Sequence, residues 1–299
     1  MSRFTRSARL IPAALVVPAL ALAGCAPTPD PDADATGVAV VASTNVYGSI
    51  AELIGGEHIT VTSLIDSAAH DPHSFEASAQ DQLALSRADL VIENGGGYDP
   101  FVETLLTALD STAPLVTAVD VAGLPDGANE HVWYSFEFMT ALGQEIASEL
   151  SALDPANAPD YAAGAADFSA DLAVLADRAA DLGERWAGTG VAITEPVPLY
   201  LLEAVGMENL TPDAFSEAIE EGSDVPPLVL QDTLAIVTGG EVALLAYNEQ
   251  TSSRETSELL AAAEGAGVAV VSFAETLPDG SDYVGWMVAN LDALEVALS

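Results

Sequence analysis

The chain has 299 residues, which is enough for one large or two medium domains. It contains 46 acidic residues against 7 lysines and arginines, and its formal net charge is −39 at pH 7. Such a charge repels phosphate backbones, so we predict no nucleic-acid partner. The single cysteine excludes both an internal disulfide and a metal site built from several thiolates.

The amino terminus has the pattern of a bacterial export signal. Arginines precede an apolar run over residues 10–23, which is too short to span a bilayer comfortably. Cys25 ends the tetrapeptide Leu-Ala-Gly-Cys, which resembles a lipobox. We therefore predict a signal peptide over 1–24, lipidation of Cys25 and a lipidated tether over 25–37, with the protein anchored to membrane lipid on the extracytoplasmic face of the cell membrane. The alternative is an ordinary cleavage site that leaves an unpaired thiol.

The residues after the tether alternate between strand and helix patterns. Runs rich in β-branched residues predict strands at 38–42, 59–65, 89–93 and 115–119. Helical spacing of apolar residues predicts helices at 47–54, 78–86 and 99–109. This alternation is typical of a parallel sheet covered by helices, and we assign residues 38–155 to an amino-terminal α/β lobe.

A long amphipathic helix is predicted over 159–186. Its apolar residues recur every three or four positions, as in Phe168, Leu172 and Leu175, and glycines follow its end. We assign 156–188 to this bridging helix. Its uninterrupted pattern predicts that it limits how far the parts on either side can move.

The α/β alternation then resumes over 189–299, which we assign to a carboxy-terminal α/β lobe. The predicted strands are 190–194, 242–247 and 268–273, and the predicted helices are 200–205, 214–221, 252–263 and 283–298. The predicted fold class is therefore α/β, with two parallel-sheet lobes bridged by a single long α-helix.

Candidate metal ligands follow strands in both lobes. His73 and His131 lie in loops with polar neighbours, and Glu195 and Glu275 come just past strands of the second lobe. Ligands of open α/β sheets bind beyond the carboxyl ends of the strands. Two imidazoles and two carboxylates would suit a divalent first-row cation. A loop histidine is also often merely solvated, and single acidic residues carry little information in so acidic a chain.

Seven motifs in chain order carry a resemblance to a known family. They are ASTNVYG (42–48), DPHSFE (71–76), ADLVIENGGGYD (88–99), NEHVWYS (129–135), TEP (194–196), AYNEQT (246–251) and ETLP (275–278). This ordered set resembles the zinc and manganese receptors of bacterial ABC importers. The resemblance implies a receptor with two lobes, bridged by a single long helix, that binds metal in its cleft and delivers it to an ABC transporter permease. We predict that the protein is a monomer without catalytic activity.

The resemblance also implies a ligand set. The family's four ligands fall on His73, His131, Glu195 and Glu275. Zinc receptors of the family often have histidine at the third position, and the fourth is more commonly aspartate, so this chain is richer in oxygen ligands, which favours manganese. Even so, we place zinc slightly ahead of manganese as the bound ion, because tight binding of zinc needs no special geometry. We expect one divalent transition metal ion as the transported ligand.

Glu76 and Asn129 are predicted to orient the ligating histidines. His70 is predicted to be solvated or to support a ligating histidine, and the alternative is that it is a ligand in another conformation. Two other functions fit parts of the pattern. A secreted zinc-dependent hydrolase is one, because two histidines and a carboxylate also describe catalytic zinc, although the chain lacks the H-E-x-x-H motif. A surface adhesin lipoprotein is the other, and the lipid anchor would allow it.

Overall fold

The computed structural model describes residues 37–68 and 72–299, which belong to one compact unit. The predicted signal peptide, Cys25, residues 25–36 of the tether and His70 lie outside these described residues. Within the described ranges, no helix combines the length and the apolar composition that crossing a bilayer requires.

The first sheet has four parallel strands in the order β2-β1-β3-β4. They are β1 (Val38–Thr44), β2 (Ile59–Ile65), β3 (Leu90–Glu93) and β4 (Leu115–Thr117). Val40 of β1 lies opposite Val61 of β2 and Leu90 of β3. The nearly continuous burial of β1 explains its central place, because a strand covered on both faces needs apolar side chains on both. The helices of this lobe are α1 (Asn45–Gly55), α2 (Ala79–Leu85), α3 (Phe101–Leu109) and α4 (Ala118–Val121).

The second sheet repeats this arrangement, with four parallel strands in the order β6-β5-β7-β8. They are β5 (Gly190–Ile193), β6 (Glu208–Asn209), β7 (Leu244–Asn248) and β8 (Ala269–Phe273). The helices are α7 (Leu199–Ala204), α8 (Asp213–Glu220), α9 (Pro227–Thr238), α10 (Arg254–Ala266) and α11 (Tyr283–Ala297).

Two long helices lie between the sheets in sequence, α5 (Phe136–Leu153) and α6 (Ala158–Trp186). Helix α6 has 29 residues and is therefore about 43 Å long. It buries an apolar stripe that includes Phe168, Leu172 and Leu175. Its glycine at 164 allows close packing, because a Cβ there would collide with the carbonyl oxygen of Ile54. The predicted fold class, two parallel-sheet lobes bridged by one long helix, is confirmed.

One apolar core runs through both lobes. It joins Ile92 of the first sheet, Leu172 of α6 and Leu244 of the second sheet, and smaller clusters lie on the outer side of each sheet. A shared core of this kind resists separation of the lobes, because separating them would expose apolar surface to water.

The last helix, α11, contacts the first lobe as well as the second. At its start, the backbone N–H of Tyr283 donates to the Ser49 hydroxyl oxygen (3.0 Å), and the Tyr283 hydroxyl donates to the carbonyl oxygen of Trp133 (2.6 Å). The Tyr134 hydroxyl makes a similar connection to the carbonyl oxygen of Ala274 (2.8 Å). These buried hydrogen bonds join the two lobes directly beside the loops that follow the strands.

Candidate metal centre

The four predicted ligands lie beyond the carboxyl ends of strands of the two sheets. His73 is in a 3-10 turn (Pro72–Ser74) after β2, and His131 immediately precedes another 3-10 turn (Val132–Tyr134). Glu195 and Glu275 each come two residues after the end of a strand, β5 and β8 respectively. The parallel direction of all strands brings these loops to the cleft between the lobes.

Three of the four predicted ligands come together. A ring nitrogen of His73, a ring nitrogen of His131 and a carboxylate oxygen of Glu275 all lie within 4.8 Å of one another. Nitrogen and oxygen ligands bind zinc at about 2.0–2.2 Å, so ligand atoms on one ion lie within about 4.4 Å of each other. His131 is 1% exposed and Glu275 is 2% exposed. This triad therefore needs only small movements to hold one ion.

Asn129 fixes the orientation of the His131 ring. The Asn129 Oδ1 accepts from the backbone N–H of His131 (3.1 Å) and lies 2.7 Å from the ring Nδ1. Because the backbone N–H can only donate, this Asn129 atom is an acceptor, and the ring proton must be on Nδ1. The lone pair is then on Nε2, as a metal ligand requires. Burial, with the nearby His73, holds the pKa of His131 well below its ordinary value, so the ring is neutral.

Glu195 lies outside the triad but is connected to it through Asn248, the last residue of β7. The Asn248 side-chain Nδ2 donates to Glu195 Oε2 and to Glu275 Oε1, the latter at 2.8 Å. Glu195 is 3% exposed. A shared donor reduces the repulsion between two buried carboxylates and holds both at the same edge of the site.

Gln250 fixes the loop that carries Glu275. Its side-chain Oε1 accepts from the backbone N–H groups of Glu275 (2.7 Å) and Thr276 (3.3 Å). Asn248 and Gln250 both belong to the AYNEQT motif, but we assigned them no role from the sequence. The motif was the signal that could have identified them as the residues that position the two carboxylates.

Aromatic rings cover the imidazoles. The Tyr98 ring lies 5.0 Å from the His73 ring, and the Trp133 ring lies 5.1 Å from the His131 ring, both in edge-to-face geometry. Tyr98 and Trp133 are also in contact, at 4.9 Å between ring centres. These rings keep water from the buried side of the site and create the apolar surroundings that favour neutral imidazole.

Two further carboxylates, which we did not identify from the sequence, lie beside the triad. Glu220 at the end of α8 places Oε1 3.7 Å from His131 Nε2. Glu220, Glu130 and His73 form a second group whose ligand atoms all lie within 4.8 Å of one another. Burial, followed by the charges of Glu130, Glu195 and Glu275, raises the pKa of Glu220 to about 8. Nothing in the sequence distinguishes Glu220 from the many other acidic residues.

The predicted orienting residues have different surroundings. Asn129 contacts His131 as described and also reaches the second lobe, where its Nδ2 donates to the carbonyl oxygen of Pro196 (3.0 Å). Glu76 is exposed to solvent, so its orienting role stays a prediction. His70 lies outside the described residues.

Comparisons with known proteins identify the family of this chain. Residues 40–297 match a family model described as zinc-uptake complex component A, periplasmic. The chain is 25% identical to the manganese-binding lipoprotein MntA of Halalkalibacterium halodurans, over 74% of this chain and 80% of that protein. It is 29% identical to MntA of Bacillus subtilis, over 54% of this chain and 56% of that protein, so this match spans about half of each.

Solved structures also resemble this fold. The binding protein FpvC of Pseudomonas aeruginosa, in complex with nickel, superposes with a TM-score of 0.72 at 25% identity and covers 88% of this chain and 97% of its own. A crystal structure of ZnuA superposes with a TM-score of 0.71 at 20% identity, covering 87% of this chain and 98% of its own, and this likeness concerns the fold alone.

Proposed function

This chain belongs to the zinc-uptake complex component A family, and from that premise we propose that it is the metal-binding receptor of an ABC importer. It captures a divalent transition metal ion in the cleft between its lobes and delivers the ion to a membrane permease. One relative, PsaA of Streptococcus pneumoniae, is named as a manganese ABC transporter substrate-binding lipoprotein, and we propose no catalytic role for this chain.

The observation that carries this proposal is the triad of His73, His131 and Glu275 at the cleft, in which His131 and Glu275 are buried. The two histidines come from the first lobe and the glutamate from the second, so one ion would connect both lobes. We propose Glu195 as the fourth ligand, because Asn248 holds its carboxylate beside that of Glu275. Two imidazoles and two carboxylates then bind the ion, and Asn129 keeps the His131 lone pair directed at it.

The proposed ligands suit both manganese and zinc. Carboxylate ligands suit manganese, and the MntA relatives of H. halodurans and B. subtilis are both named as manganese-binding. The same ligands bind zinc more tightly at equal concentration, because zinc lies above manganese in the affinity order. We therefore propose that zinc and manganese compete for one site and that zinc binds more tightly in vitro.

The proposed location follows from the predicted export signal and from the relatives, which are named as lipoproteins. We propose that Cys25 carries the lipid and that the receptor acts as a monomer on the extracytoplasmic face of the membrane. Cys25→Ala should leave unprocessed precursor in the cell, and normal maturation of that variant would refute the lipid anchor.

Native mass spectrometry of the metal-free protein mixed with equimolar zinc and manganese tests the receptor function. We expect one bound ion per chain, mostly zinc. Because an ion that binds only the folded state stabilises it, by about 4 kcal/mol at a thousandfold excess over Kd, a chelator should lower the melting temperature clearly. The double variant His73→Ala and His131→Ala should neither retain an ion nor respond to the chelator. Absence of bound ion in the unaltered protein would overturn the proposal.

A further inference from the structure

We propose that Glu130 and Glu220, together with His73, form an outer metal position that receives the ion before it reaches the buried site. This inference rests on the receptor function proposed above and goes beyond its four ligands. The outer position would take a divalent cation such as manganese or zinc and would pass it inward.

Two neighbouring groups of candidate ligands share one residue. The outer group consists of His73, Glu130 and Glu220, the inner group of His73, His131 and Glu275, and within each group all ligand atoms lie within 4.8 Å. Because His73 belongs to both groups, the outer and inner positions adjoin at this residue, and an ion can move between them over a short distance.

The two groups differ in how deeply their ligands are buried. His131 and Glu275 of the inner group are buried, whereas Glu130 and Glu220 are only partly buried. An ion that enters from solvent therefore meets the two carboxylates of the outer group before the buried inner ligands. Glu130 comes from the first lobe and Glu220 from α8 of the second, so the outer position also spans the cleft.

The atoms His131 Nε2 and Glu220 Oε1 support the outer position independently of these two groups. Both atoms are buried, and neither has a hydrogen-bond partner among residues 37–68 and 72–299. They lie 3.7 Å apart, which is beyond a good hydrogen bond. A cation about 2.1 Å from each atom would span such a gap and would satisfy both. Since buried polar atoms without partners are unfavourable, this pair indicates that a cation can pass between Glu220 and the inner site.

The decisive experiment measures manganese binding by electron paramagnetic resonance in a protein whose inner site is weakened by Glu275→Gln. We expect this variant to keep weak manganese binding at the outer position. Adding Glu220→Gln should weaken the remaining binding at least tenfold, and adding Glu130→Gln should do the same. The matched control is Glu217→Gln, which removes the same charge from an exposed residue one turn earlier in α8 and should leave the remaining binding unchanged.

A second measurement uses the otherwise unaltered chain. Stopped-flow association of zinc, followed by tryptophan fluorescence, should be at least tenfold slower in Glu220→Gln than in Glu217→Gln, with melting curves showing that both variants fold. Equal behaviour of these two variants in both experiments would overturn the outer position while leaving the receptor function intact. Failure of the unaltered protein to bind either metal would instead contradict the receptor function itself.

Discussion

The side chain of Asn129 in the first lobe donates a hydrogen bond to the backbone carbonyl oxygen of Pro196 in the second lobe, at 3.0 Å. The oxygen of the same side-chain amide accepts a hydrogen bond from Nδ1–H of His131. In addition, the Tyr200 hydroxyl of the second lobe donates to the backbone carbonyl oxygen of Asn129 (2.7 Å). One residue therefore links the relative position of the lobes to the orientation of a proposed ligand.

Asn129→Ala should lower metal affinity by about 10- to 100-fold, the usual cost of removing a residue that orients a ligand. The variant loses both the acceptor for His131 Nδ1–H and the contact with Pro196. Isothermal titration with zinc measures the effect. Tyr200→Phe is the control, because it removes a contact between the lobes but leaves the His131 tautomer fixed, and its loss of affinity should be smaller. Equal affinities of Asn129→Ala and the unaltered protein would show that Asn129 has no orienting role.

Glu195→His should shift the preference of the site toward zinc. The substitution adds a third imidazole in place of a carboxylate, and nitrogen ligands favour zinc over manganese. Competition titration of both metals against the variant and the unaltered protein gives the ratio of affinities. Glu203→His makes the same exchange at an exposed position of α7 and should leave the ratio unchanged. An unchanged ratio in Glu195→His would remove Glu195 from the ligand set.

Glu93→Gln should stabilise the protein at alkaline pH. Glu93 is 1% exposed, and burial, followed by the charge of Asp99, raises the pKa of its carboxyl from 4.5 to about 7. Between these pH values the folded state holds a proton that the unfolded chain has lost, so this group makes stability fall as pH rises from about 4.5 to 7. The amide has no proton to lose and can still accept from the Thr117 hydroxyl.

Above pH 7 the gain from Glu93→Gln should approach about 3 kcal/mol, whereas near pH 4.5 the two proteins should be nearly equal in stability. Urea denaturation at pH 5 and pH 8 gives both values. Glu57→Gln removes the charge of an exposed glutamate and should change neither by more than a few tenths of a kcal/mol. A difference between Glu93→Gln and the unaltered protein that does not grow with pH would contradict the assigned burial effect.

The two interior glycines of α6 should respond oppositely to substitution by alanine. A Cβ at Gly164 would collide with the backbone carbonyl of Ile54 in α1, and backbone cannot move aside cheaply. A Cβ at Gly183 would lie 3.5 Å from its nearest neighbour, an ordinary contact. Gly164→Ala should therefore destabilise the protein by about 1–3 kcal/mol through overpacking. Gly183→Ala should stabilise it by up to about 1 kcal/mol through helix propensity. Thermal unfolding of both variants tests the pair, and similar melting temperatures would disprove the close packing at Gly164.

Much of the fold could be predicted because the central strands β1, β3, β5 and β7 are buried along nearly their whole length and are therefore apolar almost without interruption. The predicted bounds of β2, 59–65, match the observed strand, and α6 begins one residue earlier than predicted and ends at the same residue. Strand β6 was missed because it has only two residues, Glu208 and Asn209, which carry no apolar pattern. No bounds are predicted from the sequence for helices α5 and α9, although both are longer than ten residues.

The site was only partly predictable. Histidines are rare in this chain, so His73 and His131 were prominent after their strands. Glu220 could not be selected from 46 acidic residues, because its place depends on how α8 folds back toward the cleft. The role of Asn248 depends on two carboxylates that are 53 and 27 residues away in sequence. Such relationships come from tertiary packing and leave no local pattern.

The docking of α11 on the first lobe has a consequence for the order in which the chain can fold. The contact between Ser49 and Tyr283 joins residues 234 positions apart, and it closes one of the longest loops that the chain can form. Contacts between residues this far apart in sequence slow folding, because the chain loses conformational entropy in closing the loop before the contacts stabilise it. The amino-terminal lobe cannot complete its packing until the final helix has been synthesised. A chain that stops before Tyr283 would leave part of the shared apolar core uncovered in both lobes, including the lobe that lies farthest away in sequence.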